Sequence, residues 1–391
     1  MDGLLAALRL ALHVGDGRHD ARTCAGITDW AAVAGLAARH RVRPLLLDGL
    51  ASLGPRSVAS GLNGRLSDEL RVMPRVRGLR QFAALAEVDG RLAEGGIESI
   101  VLKGLPLSQR LHGNPLLRES VDIDLLVSPE RFGAAEAILL GTGWRRVRPG
   151  FRETPRRKRW HDHLVKDALF VRPGGGVAIE LHRRLLNNPH LFNAPFGQLR
   201  EEAATQTVGA RAYLVLGDRH LLPYLACHGL EHYWHRLKWL CDIAALITAL
   251  DDEWLARSVA AWRRQGLGTA LGSAFGLCGG TLRVAPSAAL IGLAPGGARS
   301  RLIAHLARRK WEGSQPRGWR WALRSLQDNA ARFALKASLR YALFELARLL
   351  VAPHEFGRPD LPDRWLWLAP LLRPAAWIVK ALGRHRDRKT G

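Results

Sequence analysis

RESVDIDLLV, residues 118–127, sets two carboxylates, Asp122 and Asp124, two positions apart inside an otherwise apolar run. Side chains alternate faces along a strand, so this spacing predicts Asp122 and Asp124 on one face and Val121, Ile123 and Leu125 on the other. Asp is depleted in strands, and two like charges about 4 Å apart repel by about 4 kcal/mol at an intermediate effective dielectric. A divalent cation between the two would offset that cost.

The flanking sequence predicts a small α/β unit around this strand. IESIVLKG (97–104) is a β-type run, LPLSQRLHG a short helix opened by Pro106, and SPERFGAAEAILLGTG (128–143) a helix with Ser128 as N-cap and Pro129 at its first position. WRRV (144–147) reads as a short third strand, RPGFRETPRRKRW (148–160) as a basic loop, and HDHLVKDALFV with GVAIELHRRL as a β-hairpin about RPGGG. In the second hairpin strand Val177, Ile179 and Leu181 point one way and Glu180 and His182 the other. If the two acid-bearing strands are neighbours, Asp122, Asp124 and Glu180 can surround two Mg²⁺ (or Mn²⁺) ions about 4 Å apart, an arrangement suited to in-line displacement at phosphorus. One ion would activate an attacking hydroxyl, or Glu180 would take its proton, while the other would hold the triphosphate. Upstream, Lys103 and Gly104 fall at a strand-to-helix turn, where Gly admits a phosphate, the helix start offers N–H groups and Lys adds charge.

Helical periodicity fills the rest. Residues 29–53 follow an Asp29 cap, residues 67–96 follow a Gly/Ser/Pro-rich joint, and helices return from about 212. The expected organisation is α+β: an N-terminal helical region 1–95, a small mixed-sheet core 96–210, a C-terminal helical region 211–350 and a basic, Trp-rich tail 351–391.

A strand, a small-residue turn, a helix, a strand of the form hDhDh and a later strand with one acid between apolar residues together resemble the DNA polymerase β-like nucleotidyltransferase superfamily. VLKGLPLSQRLHGNPLLRESVDIDLLV with VAIELHRRL and HGLEHYWHRLKWLCDIAAL is similar to its bacterial family of uncharacterised nucleotidyltransferases, over roughly residues 80 to 250. The resemblance implies Mg²⁺-dependent transfer of an NMP from an NTP, ATP included, to an acceptor hydroxyl on a peptide, sugar or small molecule. Asp122, Asp124 and Glu180 would then be the catalytic metal ligands. Where the superfamily usually carries Gly-Ser or Gly-Gly at the turn, this chain has Lys103-Gly104-Leu105, so Lys103 and Arg118 are the expected substitutes in the phosphate grip. His182 is expected to steady Glu180 or touch the nucleotide.

Two other motifs compete for attention. His228, Glu231 and His232 form HxxEH, the inverted zinc-peptidase pattern, with His235 one turn on. No third ligand is designated, and the favoured reading makes His228, His232, Lys238 and Asp242 a polar wall of the cleft, with Asp242 bonding Lys238 and Arg236. WHDH (160–163) could bind metal too, but two His on one strand face read first as structural. The basic run Arg145, Arg146, Arg148, Arg152, Arg156, Arg157, Lys158 and Arg159 is expected to clamp triphosphate or an anionic acceptor, or simply to be solvated.

The 391 residues carry a formal charge of +23 and a pI near 11.2, which suits an anionic partner. Arg outnumbers Lys 50 to 8 within that charge, a bias that genome composition alone can produce, so nucleic acid is not the favoured partner. A non-catalytic protein binding RNA or membrane through a degenerate fold is the remaining alternative. Cys24, Cys227, Cys241 and Cys278 lack CxxC spacing and read as reduced thiols of a cytoplasmic protein. The N-terminus is a poor signal peptide, no window reaches transmembrane length, and the tail reads as a packing helix with a frayed basic end, or as a peripheral membrane contact.

Overall fold

The alternation of residues 122–126 is realised as a strand in the middle of a mixed seven-stranded sheet. The computed structural model describes residues 1–54, 64–150, 154–174, 176–284, 297–312, 319–351 and 363–368. The strands are β1 (Ile100–Val101), β2 (Asp122–Leu126), β3 (Arg145–Arg148), β4 (Asp167–Val171), β5 (Ala178–His182), β6 (Ala204–Val208) and β7 (Arg211–Val215), in the order β3-β4-β5-β2-β1-β7-β6. β2 runs parallel to β5 and antiparallel to β1, and β4 pairs antiparallel with β5 as the hairpin reading expects.

The two faces of the sheet have different covers. Ile123, Leu125, Phe170, Ile179 and Leu181 pack against Leu85, Val88 and Leu92 of the helix Gly64–Glu94 and Leu139 of the helix Phe132–Gly141. Burying each such side chain stabilises the fold by roughly 1.5–3 kcal/mol, which fixes the register of β2 and β5. That choice forces Asp122, Asp124, Glu180 and His182 to the opposite face. There the helices Asp218–Glu231 and Leu237–Ala249 join the N-terminal helices in a second buried cluster that includes Leu102, Leu126, Leu225 and Leu240. The acids are held between sheet and helical layer.

Several expectations are corrected. The run 97–104 contributes only Ile100–Val101 to the sheet. The short strand expected over 144–147 stands at Arg145–Arg148, but the basic stretch after it is not all loop: Pro155–Leu164 is a helix whose N-cap Thr154 accepts from the Arg157 N–H at 3.2 Å. The hairpin strand therefore starts at Asp167, and His161 and His163 of WHDH lie on a helix, not on a strand. A further hairpin, β6–β7 about Gly209, carries the sheet past the expected core boundary at 210 to Val215. Between 297 and 351 three helices are described, Ala298–Glu312, Trp319–Arg332 and Leu339–Val351. Arg152 of the basic run and most of the 351–391 tail lie outside the described residues. Among the described residues no helix is long and apolar enough to cross a membrane.

Candidate active site

The parallel register of β2 and β5 places Asp124 directly beside Glu180, with Asp122 beside Ala178. Side-chain alternation turns His182 to the same face, and ligand atoms of Asp124, Glu180 and His182 all lie within 4.8 Å of one another. Among the described residues this is the one His/Cys/Asp/Glu grouping of that kind. Asp122 lines the same cleft of about 280 Å³ and is more exposed than Asp124.

Cations surround the acids. Lys103 Nζ stands 3.0 Å from Asp124 Oδ1, and His182 Nε2 stands 3.3 Å from that oxygen and 3.5 Å from Glu180 Oε2. Lys166 Nζ lies 3.4 Å from Glu180 Oε2 and 2.8 Å from Asp167 Oδ2, and Arg148 reaches Glu180 Oε1 at 3.1 Å. Burial alone would raise the Asp124 and Glu180 carboxyls, but Lys103 beside the first, Lys166 beside the second and His182 between them hold both below the usual carboxylate range. Asp122 goes the other way. Burial raises it, and the charges of Asp124 and Glu180 add to the shift. Lys103, Lys166 and Lys238 all line the cleft, three of only eight lysines in the chain. A compositional bias that strongly favours Arg does not explain ammonium groups concentrated here.

Gly104 follows Lys103 with φ +79°, a backbone conformation that favours glycine, and caps the helix Leu105–His112. Its position leaves open space where a side chain would be. Arg118 lines the cleft, yet its guanidinium is held by Asp242 through bonds of 2.8, 3.0 and 2.9 Å, with both side chains 2 % exposed. Asp242 thus bonds Arg118, not Lys238 and Arg236 as expected, and it lies behind the cleft lining. Lys238 donates to the Glu119 carbonyl at 3.3 Å, and burial pushes its pKa well below the ordinary lysine value.

His228, His232 and His235 form the remaining wall around Trp239, with His232 stacked on the indole at 5.0 Å between centroids. His228 Nε2 lies 3.5 Å from Lys103 Nζ, and burial followed by that charge keeps the imidazole neutral. Glu231 has Arg348, Glu345 and Arg332 among its charged neighbours, on the side of the helix Leu339–Val351. The HxxEH residues therefore face different surroundings, and they assemble no three-ligand group among the described residues.

Lys166 and Asp167 were not singled out by sequence reasoning. Their signal is the Thr154-Pro155 helix start, which puts residues 155–164 on a helix and makes Lys166-Asp167 the entry of a strand beside Glu180. Arg41, from the N-terminal helices, also lines the cleft and carries no local sequence signal.

Comparison with known proteins follows the same residues. Residues 27–283, which take in the N-terminal helices from Trp30, the whole sheet and the helices over the acids, match the profile described as uncharacterised nucleotidyltransferase. No curated protein and no solved structure matches. A strand bearing two acids, a third acid in register on its neighbour and a profile match across most of the chain converge on one assignment: the chain belongs to the uncharacterised nucleotidyltransferase family of the DNA polymerase β-like clan.

Proposed function

We propose that the cleft transfers an NMP from an NTP to an acceptor hydroxyl on a peptide, sugar or small molecule, with release of pyrophosphate. The observation that carries this reading is the pairing of Asp124 with Glu180 across two parallel strands, with Asp122 on the same face. The donor set fits a divalent cation. Asp124 Oδ1 is buried and accepts no well-directed hydrogen bond although Lys103 and His182 stand beside it, and Asp122 carries repulsion that a cation would relieve. Asp124 and Glu180, with Asp122 completing the set, would hold Mg²⁺ or Mn²⁺, two ions being the number that three carboxylates suit. When bound, such ions supply Lewis-acid stabilisation of charge on the phosphates.

The chain's own residues do the rest. His182, fully buried behind Asp124 and Glu180, fixes the orientation of both carboxylates. Lys103 and Lys166, which line the cleft, present positive charge to the triphosphate. Lys166 and Arg148 beside Glu180 favour its ionised form, the form in which it would hold a cation or take the proton of the acceptor hydroxyl. Four buried free thiols suit a reducing compartment, so the cytoplasm is the proposed location. The test is incubation with each α-labelled NTP, Mg²⁺ or Mn²⁺ and a cell extract. Label moving to an acceptor with wild type, and not with Asp124→Asn, supports the reading. Absence of transfer from all four nucleotides, or undiminished transfer by Asp124→Asn, overturns it.

A further inference from the structure

Two chain segments meet at one hydrogen bond beside the cleft: the Leu237 N–H donates to His40 Nδ1 at 3.4 Å. The residue after His40 and the residue before Leu237 are both arginines, Arg41 and Arg236. Both backbones reach this point through unfavourable conformations. Arg41 ends the helix Trp30–His40 with φ +56°, and the linker before Arg236 holds Tyr233 at φ +51° and Trp234 at φ +50°. Left-handed non-glycine residues cost about 1 kcal/mol or more each and persist only where surroundings impose them. Here Trp234 is buried, donates to Ser273 Oγ at 3.1 Å and accepts from Trp311 Nε1 at 2.6 Å, which locks the linker.

The two side chains delivered this way are poorly compensated. Arg41 and Arg236 are half-buried, line the cleft, and neither guanidinium makes a hydrogen bond or ion pair with a described residue. Arg236 lies over the Trp239 ring at 6.0 Å, and burial with Arg41 nearby brings it down to about 10. Of the nearest acids, Glu119 is engaged by Arg43 and Arg77, and Asp122 belongs to the carboxylate set. Two adjoining, partly desolvated like charges are unfavourable unless an anion joins them, and paired guanidinium groups match the oxygens of a phosphate.

We propose that Arg41 and Arg236 form a two-guanidinium clamp in the cleft for a phosphate oxyanion, supplied by the terminal phosphate of the NTP or by a phosphate on the acceptor. The clamp rests on the nucleotidyl-transfer reading for its choice of source, not for its anion chemistry. Calorimetric titration with inorganic tripolyphosphate in EDTA tests it on the full-length chain. Wild type is expected to bind, and Arg41→Gln, Arg236→Gln and Arg41→Lys to weaken binding at least about tenfold each, the scale of a lost charge-assisted hydrogen bond. Arg257→Gln, on the exposed helix Asp252–Arg264, controls for net charge. No binding by wild type, arginine variants within twofold of wild type, or an equal loss in Arg257→Gln overturns the clamp.

The source is read from two further arms. Weaker ATP binding with unchanged AMP binding in the variants assigns the clamp to the donor's terminal phosphate. Unchanged ATP binding, with weaker orthophosphate binding to the ATP-saturated protein, assigns it to the acceptor. Failure of the nucleotidyl-transfer reading looks different: tripolyphosphate binding would stay arginine-dependent while no label moved from any NTP.

Discussion

Asp242→Asn tests how the catalytic strand is fastened to the helical layer. Arg118 leads into β2, its backbone N–H donates to Ser108 Oγ at 2.9 Å, and its guanidinium makes three bonds of 2.8–3.0 Å to Asp242 on the helix Leu237–Ala249. Both side chains are 2 % exposed, so water cannot replace a lost partner. Removing the carboxylate charge leaves a buried, uncompensated guanidinium, which costs about 3–5 kcal/mol, a large share of the roughly 5–15 kcal/mol that holds a domain folded. Urea denaturation followed by Trp fluorescence should show a lower midpoint with little change in slope. The paired change Arg118→Met with Asp242→Leu should recover most of the loss, because the cost lies in the orphaned charge and not in the volume. A loss below about 1 kcal/mol in Asp242→Asn, or a double variant as unstable as the single one, would refute the reasoning.

His40 is fully buried, and burial followed by Arg39 lowers its pKa from 6.5 to about 4. The unfolded chain takes up this proton first, so stability is complete above pH 6.5 and falls as pH drops toward 4. The loss approaches about 3 kcal/mol, and His40→Gln should flatten that slope in pH-dependent urea melts. Gly49 lies where a Cβ would overlap the Ala7 backbone carbonyl, so Gly49→Ala should destabilise by about 2–3 kcal/mol, visible as a lower thermal midpoint. Lys166→Met should cut label transfer at least about tenfold by leaving Glu180 and Asp167 short of a cation, while Lys166→Arg recovers stability better than rate.

The sequence exposed the parts of the fold that depend on short-range alternation. Ile123, Leu125, Ile179 and Leu181 alternate with the acids, and that period alone turns Asp124 and Glu180 to one face. Which strands adjoin is a long-range matter, yet two acid-bearing strands with a shared apolar face had few other partners. Lys166 and Asp167 were lost because residues 161–171 were read as one strand, although Thr154-Pro155 marks a helix start just upstream. The β6–β7 hairpin was not among the expected elements, although ATQTV and RAYLV flank Gly209, whose φ of +60° suits a tight turn. Arg41 was not legible. Its place in the cleft depends on a left-handed helix end and on a linker locked by Trp234, contacts between segments nearly two hundred residues apart.

Nucleotidyl transfer in this cleft requires Asp124 and Glu180 to share a divalent ion. Electron paramagnetic resonance of Mn²⁺ titrated into the chelator-treated protein, with a non-hydrolysable NTP analogue present, reads this directly. Saturable Mn²⁺ binding by wild type, lost in both Asp124→Asn and Glu180→Gln while tripolyphosphate binding persists, is the predicted result. Mn²⁺ bound equally by the variants, or not bound by wild type at all, would contradict it.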